Sequence, residues 1–155
     1  KKISPRELWL MGIMLYWRER FLRENENDLR KGVRFTSSDP YLIKLFLKWL
    51  KDIGKIENEE IKFDIFMVGG KQDIDGRNKI VADTINYWSE ITNFPQDNFT
   101  RIYTQKVHPK RRGIKKRKVS KRAHLGLLRV RVKAGSMLAR QIAGWVRGIR
   151  KYYWG

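Results

Sequence analysis

The stretch Met11 to Phe21, MGIMLYWRERF, together with the residues just before it, decides the kind of fold that this chain forms. Ser4 and Pro5 open the segment as the capped first turn of a helix does. The apolar residues that follow occupy every side of that helix rather than one stripe, which predicts a helix enclosed on all sides. Glu19 stands where the apolar run gives way to charge, so its role is the first question that the sequence raises.

The charge of the chain is divided unevenly along its length. The net charge is +19; residues 1–97 contain 17 Lys/Arg and 16 Asp/Glu, whereas residues 98–155 contain 18 Lys/Arg and no acid. A surface that needed charge only for solubility would mix both signs, so a segment this long without a carboxylate is expected to face a polyanion. Nucleic acid is the first candidate, and an anionic membrane surface is the second.

Composition excludes several other classes of protein. The 155 residues are enough for one domain with a core, expected to span 1–155, and an upstream domain before Lys1 stays open. The sequence has no cysteine, which removes disulfides and thiolate zinc sites. The longest apolar run, Leu8 to Trp17, is far shorter than the roughly 18 to 20 residues that span a bilayer. A soluble cytoplasmic protein associated with the nucleoid is therefore expected.

The hydropathy pattern predicts eight elements in the order helix, strand, helix, strand, helix, strand, strand, helix. Alternating residues predict the strands, and apolar residues three and four apart predict the helices. The clearest helix follows Asp39 and Pro40, which suit its cap and its first turn, and the last helix is expected from Ser136 to about Gly148. This order predicts an α+β fold, with a mostly antiparallel sheet covered on one face by helices. The predicted strands are VRFTS, EIKFDIFMV, TRIYTQKV and LLRVRVK.

The aromatic residues divide into two groups. Trp49, Trp88 and Trp145 fall on the apolar faces of predicted helices and are expected in the core. Tyr152 and Tyr153, in the terminal KYYWG, follow the last predicted helix. Stacking on bases and packing on the domain both stay open for them.

Two basic segments supply the candidate nucleic-acid-binding residues. The run KVHPKRRGIKKRKVSKR, residues 106–122, is expected to form a basic arm between two strands, with a solvated hairpin as the alternative. In LLRVRVK, alternate residues are basic and about 6.6 Å apart, comparable with the spacing of phosphates along a nucleic-acid strand. Arginine also reads guanine in the major groove, although charges that only keep a strand soluble are the alternative. The candidates are Lys110, Arg111, Arg112, Lys115, Lys116, Arg117, Lys118, Lys121, Arg122, Arg129, Arg131 and Lys133.

Three blocks follow one another along the chain: ELWLMGIMLYWRE, VRFTSSDPYLIKLFLKWL and INYWSEITNFPQDNFTRIY. In this order they resemble a group of microbial proteins similar to single-motif LAGLIDADG homing endonucleases. In that family the first block usually ends in Leu-Tyr-Trp-x-Glu-Gly. The second block reads like Phe-Thr-Asn-Ser-Asp-Pro, and the third reads like Trp-Ser-Glu-x-Thr-Gly-x-Pro followed by Phe-Thr. The resemblance covers about residues 7 to 105 and continues more loosely through the last helix.

The resemblance implies a LAGLIDADG-like fold in which the motif helix packs on its copy in a homodimer and a curved antiparallel sheet lies in the DNA major groove. It implies Glu19 as the catalytic acid and as a ligand of a divalent metal such as Mg²⁺ at the scissile phosphates. Arg20 replaces the family's glycine, and a neighbouring guanidinium raises the cost of bringing a cation to Glu19. An exposed acid paired with Arg18, Arg20 or Arg23 is therefore the other interpretation of Glu19.

The sequence supports three hypotheses about function. The first is a homodimeric protein that binds duplex DNA with a basic sheet face and the basic arm. The second is a metal-dependent endonuclease that makes a double-strand cut with Glu19 from each subunit. The third is an RNA-binding protein, either an intron splicing cofactor or a ribosome-associated protein, because a carboxylate-free basic segment suits folded RNA as well. A membrane role ranks last, since the charge does not lie on a basic amphipathic helix.

Overall fold

The computed structural model describes residues 2–21, 32–69, 74–106, 126–133 and 135–154. Within these residues the chain forms four α-helices and four β-strands in the predicted order. The predicted α+β class is therefore confirmed. The elements are α1 (Pro5–Phe21), β1 (Arg34–Ser37), α2 (Pro40–Asp52), β2 (Ile61–Gly69), α3 (Ile74–Thr92), β3 (Phe99–Lys106), β4 (Leu127–Val132) and α4 (Ser136–Trp154).

The first two helices begin at the predicted caps. Ser4 and Glu7 cap α1 reciprocally: the Glu7 N–H donates to the Ser4 hydroxyl at 3.2 Å, and the Ser4 N–H donates to the Glu7 carboxylate at 2.7 Å. The hydrogen bond from the Ser4 backbone lowers the pKa of the Glu7 carboxyl most, and the hydrogen bond with the Ser4 side chain lowers it further. Asp39 caps α2 by accepting a hydrogen bond from the Tyr41 N–H at 2.8 Å, and Pro40 occupies the first turn.

The four strands form one mixed sheet in the order β1-β4-β2-β3. Strand β4 is antiparallel to both of its neighbours, β1 and β2, whereas β2 and β3 are parallel. The prediction of a mostly antiparallel sheet is confirmed for two of the three described strand pairs, whereas the parallel β2/β3 pair was not predicted. The reason is α3, which connects these two strands: a crossover helix carries the chain back, so the next strand runs in the same direction.

One face of the sheet and the inner sides of the helices form the hydrophobic core. Alternate strand residues point into it, as the period of two requires. Trp49 and Trp88 are fully buried, as predicted, and Trp145 is partly buried against the same core. The sheet residues in the core are Phe35, Ile61, Phe63, Ile65, Met67, Phe99, Leu128, Val130 and Val132.

Helix α1 crosses α2 at Gly12. A Cβ atom at Gly12 would overlap the indole ring of Trp49, so the absence of a side chain lets this ring lie directly against the α1 backbone. The Trp49 Nε1–H donates a hydrogen bond to the Trp9 carbonyl oxygen at 3.2 Å, which holds the ring in place. The smallest residue of the opening stretch is therefore used for packing inside the chain.

Within one chain helix α1 is not enclosed on all sides, so the predicted enclosure would need a second chain. Leu10, Met11 and Met14 are 47%, 41% and 52% exposed. Because these residues are one, three and four positions apart, they share one side of the helix, and Gly12 and Tyr16 lie on the other. We call Leu10, Met11 and Met14 the α1 stripe. A single chain provides contacts for the inner side of α1, through α2, β1 and α4, and leaves the stripe in solvent.

Helix α4 is longer than predicted. It continues past Gly148 to Trp154, because no proline follows Gly148 and an isolated glycine only weakens a helix. Tyr152 and Tyr153 therefore lie in the last turns of α4, where they are 84% and 71% exposed rather than buried in the domain. In the described part of the chain, no helix is both long and apolar enough to cross a membrane.

Candidate nucleic-acid interface

The face of the sheet opposite the core carries most of the polar strand residues, and we call it the open face. Its residues alternate with the core positions along each strand, and a register shift in β3 adds one more. All of them are exposed or half-buried except Asp64, which is buried. Among the side chains that the structure describes, the open face consists of Arg34, Thr36, Lys62, Asp64, Phe66, Thr100, Arg101, Tyr103, Leu127, Arg129 and Arg131.

The first row across the open face contains three cations. Arg34, Arg131 and Lys62 lie opposite one another on β1, β4 and β2, so neighbouring Cα atoms are about 5 Å apart. Like charges at directly opposite positions destabilise a sheet, and a bound anion would relieve them. The Nε of Arg34 is buried and has no hydrogen-bond partner among the described residues, although buried donors normally have one.

The second row contains the one carboxylate among the described side chains of this face. Asp64 on β2 lies between Arg129 on β4 and Arg101 on β3. Its carboxylate accepts two hydrogen bonds from Arg131 of the first row, from Nε at 3.3 Å and from Nη2 at 3.1 Å. The same Nη2 donates to the Thr100 hydroxyl at 3.1 Å. The negative charge of Asp64 is therefore already balanced by Arg131.

The third row is apolar and aromatic. Phe66 on β2 and Tyr103 on β3 are stacked, with ring centroids 4.8 Å apart and ring planes at 10°. The Arg129 guanidinium lies 4.4 Å from the Phe66 centroid, within cation–π range. Arg129 also donates from Nε to the Thr36 hydroxyl at 3.3 Å. Arg129, Phe66 and Tyr103 thus form a column across three strands, which we call the π column.

Sequence reasoning identified part of this site. It predicted that Arg129 and Arg131 share one strand face, and both lie on the open face. It did not identify the cations of the neighbouring strands or the aromatic pair. A signal for Phe66 was present, since it falls on the polar side of an alternating strand. Its pairing with Tyr103 depends on the parallel register of β2 and β3, which no short pattern contains.

The remaining predicted residues are placed differently. Lys133 is exposed in the turn after β4, and its backbone N–H donates to the Glu60 carbonyl oxygen at 2.7 Å. Glu19 lies in the last turn of α1, but its side chain is outside the described part of the chain, and so are residues 107–125. The predicted residues in that segment are Lys110, Arg111, Arg112, Lys115, Lys116, Arg117, Lys118, Lys121 and Arg122.

Metal binding is predicted only through Glu19. The residues that the structure describes contain no group of three or more His, Asp or Glu side chains that could hold a metal ion. Mg²⁺ at Glu19 therefore stays a prediction.

Fold and site together define a class: an α+β domain with helices on one face of a mixed sheet and a cationic face opposite. Comparison of the chain with protein-family models, with curated proteins and with solved structures finds no match in any of the three. The resemblance to LAGLIDADG homing endonucleases therefore stays a prediction, and the assignment of function depends on the residues of the open face.

Proposed function

We propose that this protein binds nucleic acid with the open face of its sheet, and that duplex DNA is its first partner. The observation that carries the proposal is charge. The described side chains of the open face include five cations and one carboxylate, which is already paired. Phosphate oxygens are the acceptors that such a surface favours. The cations are Arg34, Lys62, Arg101, Arg129 and Arg131.

The basic segment 106–122 strengthens the proposal. It contains ten Lys/Arg and no acid, and it lies in the connection from β3 to β4, the strand that carries Arg129 and Arg131. Its charge is therefore tethered to the same sheet.

Duplex DNA is favoured because arginines on a strand can hold phosphates and also read guanine in the major groove. Structured RNA is the second candidate, and the π column favours it, because folded RNA displays unpaired bases that stack on aromatic side chains. Competition between a duplex and a structured RNA at one salt concentration separates the two. An RNA preference of roughly tenfold or more, about 1.4 kcal/mol, would replace DNA by RNA as the first partner.

The double variant Lys62→Gln/Arg101→Gln is expected to bind a duplex more weakly and with a smaller salt dependence than the parent chain. Each phosphate contact contributes about 0.9 to the slope of log K against log salt concentration, so two lost contacts lower the slope by roughly 1.8. Fluorescence anisotropy with a labelled duplex, at salt concentrations from about 50 to 200 mM, measures affinity and slope together.

The matched control is Lys44→Gln/Lys51→Gln, which removes two charges from the exposed side of α2, away from the open face. We expect its slope to stay close to that of the parent chain. If both double variants lower the slope equally, overall charge rather than the open face accounts for binding, and the proposal is wrong.

Cleavage is a separate part of the proposal and depends on the resemblance alone. Candidate DNA incubated with the protein and Mg²⁺ or Mn²⁺ tests it. Double-strand cuts that disappear in Glu19→Gln would assign an endonuclease with Glu19 in the role that the resemblance implies. Binding without cuts would leave a DNA-binding protein.

We propose further that a second copy of the chain covers the α1 stripe. Leu10, Met11 and Met14 form a contiguous exposed apolar surface on one helix, and exposed apolar patches often mark protein interfaces. Because Trp49 fills the space over Gly12, two α1 helices would meet through these long side chains rather than through a close crossing of backbones.

The variant Met14→Glu is expected to convert the dimer into a monomer in sedimentation velocity, because it places a charge in the middle of the apolar interface. Met137→Glu is the control: Met137 is 79% exposed on α4 and lies outside the stripe, so this variant should remain dimeric. A parent chain that sediments as a monomer over the whole concentration range would contradict the dimer and leave the open-face proposal standing.

A further inference from the structure

The π column ends on an aromatic ring, that of Tyr103, and its one described cation, Arg129, lies at the other end. We propose that it is a stacking site for a nucleobase, and that the protein binds a nucleic acid with an unpaired base more tightly than a fully paired duplex. This inference rests on the proposed nucleic-acid binding and adds the kind of nucleic-acid structure that is bound.

The open end of the column is the outer face of Tyr103. Phe66 is covered on both sides, by Tyr103 from β3 and by Arg129 from β4, since β2 lies between these strands. Tyr103 belongs to β3, an edge strand of the described sheet, and is 42% exposed. A planar group placed on its outer face would extend the column in the direction in which the rings already stack.

The cations near Tyr103 favour a nucleobase over other planar groups that could stack on its ring. Arg101 shares the open face of β3 with Tyr103, about 6.6 Å away along the strand, so a base on Tyr103 and a neighbouring phosphate on Arg101 fit one strand of nucleic acid. The basic segment follows β3 directly and leads back to Leu127, which lies opposite Phe66. A base carried on a phosphate backbone satisfies both the ring and the cations, whereas an apolar protein side chain satisfies only the ring.

The base must be unpaired for a physical reason. Inside a duplex, both faces of each base are covered by its neighbours in the stack, and none is available to a protein ring. A bulged, looped or single-stranded base exposes a face, and every base has one, so stacking of this kind tolerates sequence. The open face would then combine phosphate contacts in its first two rows with one stacked base at its third.

The test uses one sequence in three forms: a perfect duplex, the same duplex with a bulged 2-aminopurine, and the single strand carrying 2-aminopurine. Each form is made in DNA and in RNA, so the two sources of an unpaired base are distinguished. We expect the bulged and single-stranded forms to bind more tightly than the duplex by about 5- to 100-fold, the effect of one stacked base. Binding should also quench the 2-aminopurine fluorescence.

Tyr103→Leu is expected to lose the quenching and the preference for the bulged and single-stranded forms. Tyr103→Phe, which retains the ring, should keep both. Tyr41→Leu is the control, because Tyr41 is a 75% exposed tyrosine on α2, away from the open face. Thermal unfolding followed by circular dichroism shows that each variant is folded.

Equal affinity for the three forms, or a preference that survives in Tyr103→Leu, overturns the stacking site and leaves duplex binding intact. If Tyr103→Leu changes the sedimentation coefficient and leaves the base preference unchanged, the π column makes a protein contact. That result also overturns the stacking site. If the parent chain binds none of the three forms, the proposed function itself is wrong.

Discussion

Replacing Gly12 by alanine is expected to destabilise the fold by about 3 kcal/mol or more, at or above the upper end for overpacking a core. The added Cβ would overlap the indole ring of Trp49. Trp49 is fully buried, and its Nε1–H donates to the Trp9 carbonyl oxygen, so a shift of the ring away from Gly12 would disturb both the core packing and that hydrogen bond. Urea denaturation of the parent chain and the variant measures the difference in free energy of unfolding.

Two other glycines serve as controls for Gly12. Nothing lies within 4 Å of a Cβ built at Gly144 or Gly148, both inside α4. Alanine at either position should therefore stabilise the protein by about 0.4 to 1 kcal/mol, because it reduces the freedom of the unfolded chain and favours the helix. If Gly12→Ala behaves as these two variants do, α1 and α2 do not cross as described.

The second large effect is expected for Arg131→Met, which removes the partner of a buried carboxylate. Asp64 is 1% exposed, and Arg131 provides the ion pair and both of the described hydrogen bonds to its carboxylate. An uncompensated buried charge costs about 3 to 5 kcal/mol. The lower end of this range is expected, because the Arg131 side chain is 21% exposed and water therefore reaches one side of the ion pair. Urea denaturation again provides the measurement.

Two further variants isolate the cause of that loss. Arg129→Met removes an equal charge from the same strand but keeps the ion pair between Asp64 and Arg131, so its cost should be clearly smaller. The double variant Asp64→Leu/Arg131→Met removes the stranded charge as well and should recover most of the stability, as replacement of buried ion pairs often does. A double variant that is less stable than Arg131→Met would contradict the assignment.

The Asp64–Arg131 pair also decides how the nucleic-acid proposal should be tested. A binding defect of Arg131→Met would combine lost contacts with lost folding stability. Lys62 and Arg101 have no described ion pair; Lys62 neighbours Asp64 along β2, and Arg101 lies opposite Asp64 on β3. Their variants therefore report binding with less interference from folding.

The local pattern of the sequence predicted the elements well. The caps at Ser4 and Asp39, the alternation in β2 and β4 and the helical spacing around Trp49 and Trp88 each depend on neighbours a few residues apart, and each is confirmed. For α1, one chain covers only part of the apolar surface that the pattern predicts to be buried, and the pattern does not show which element covers the rest.

What the sequence alone determined is the α+β class, the order of the elements and the concentration of positive charge in the last 58 residues. Only the tertiary structure decided that Trp49 lies over Gly12, that Asp64 is matched to Arg131, and that Phe66 and Tyr103 stack. The physical reason is distance along the chain. Caps and periodicities act over three or four residues, whereas each of these contacts joins positions at least 37 apart, and strand register and helix crossing bring such positions together.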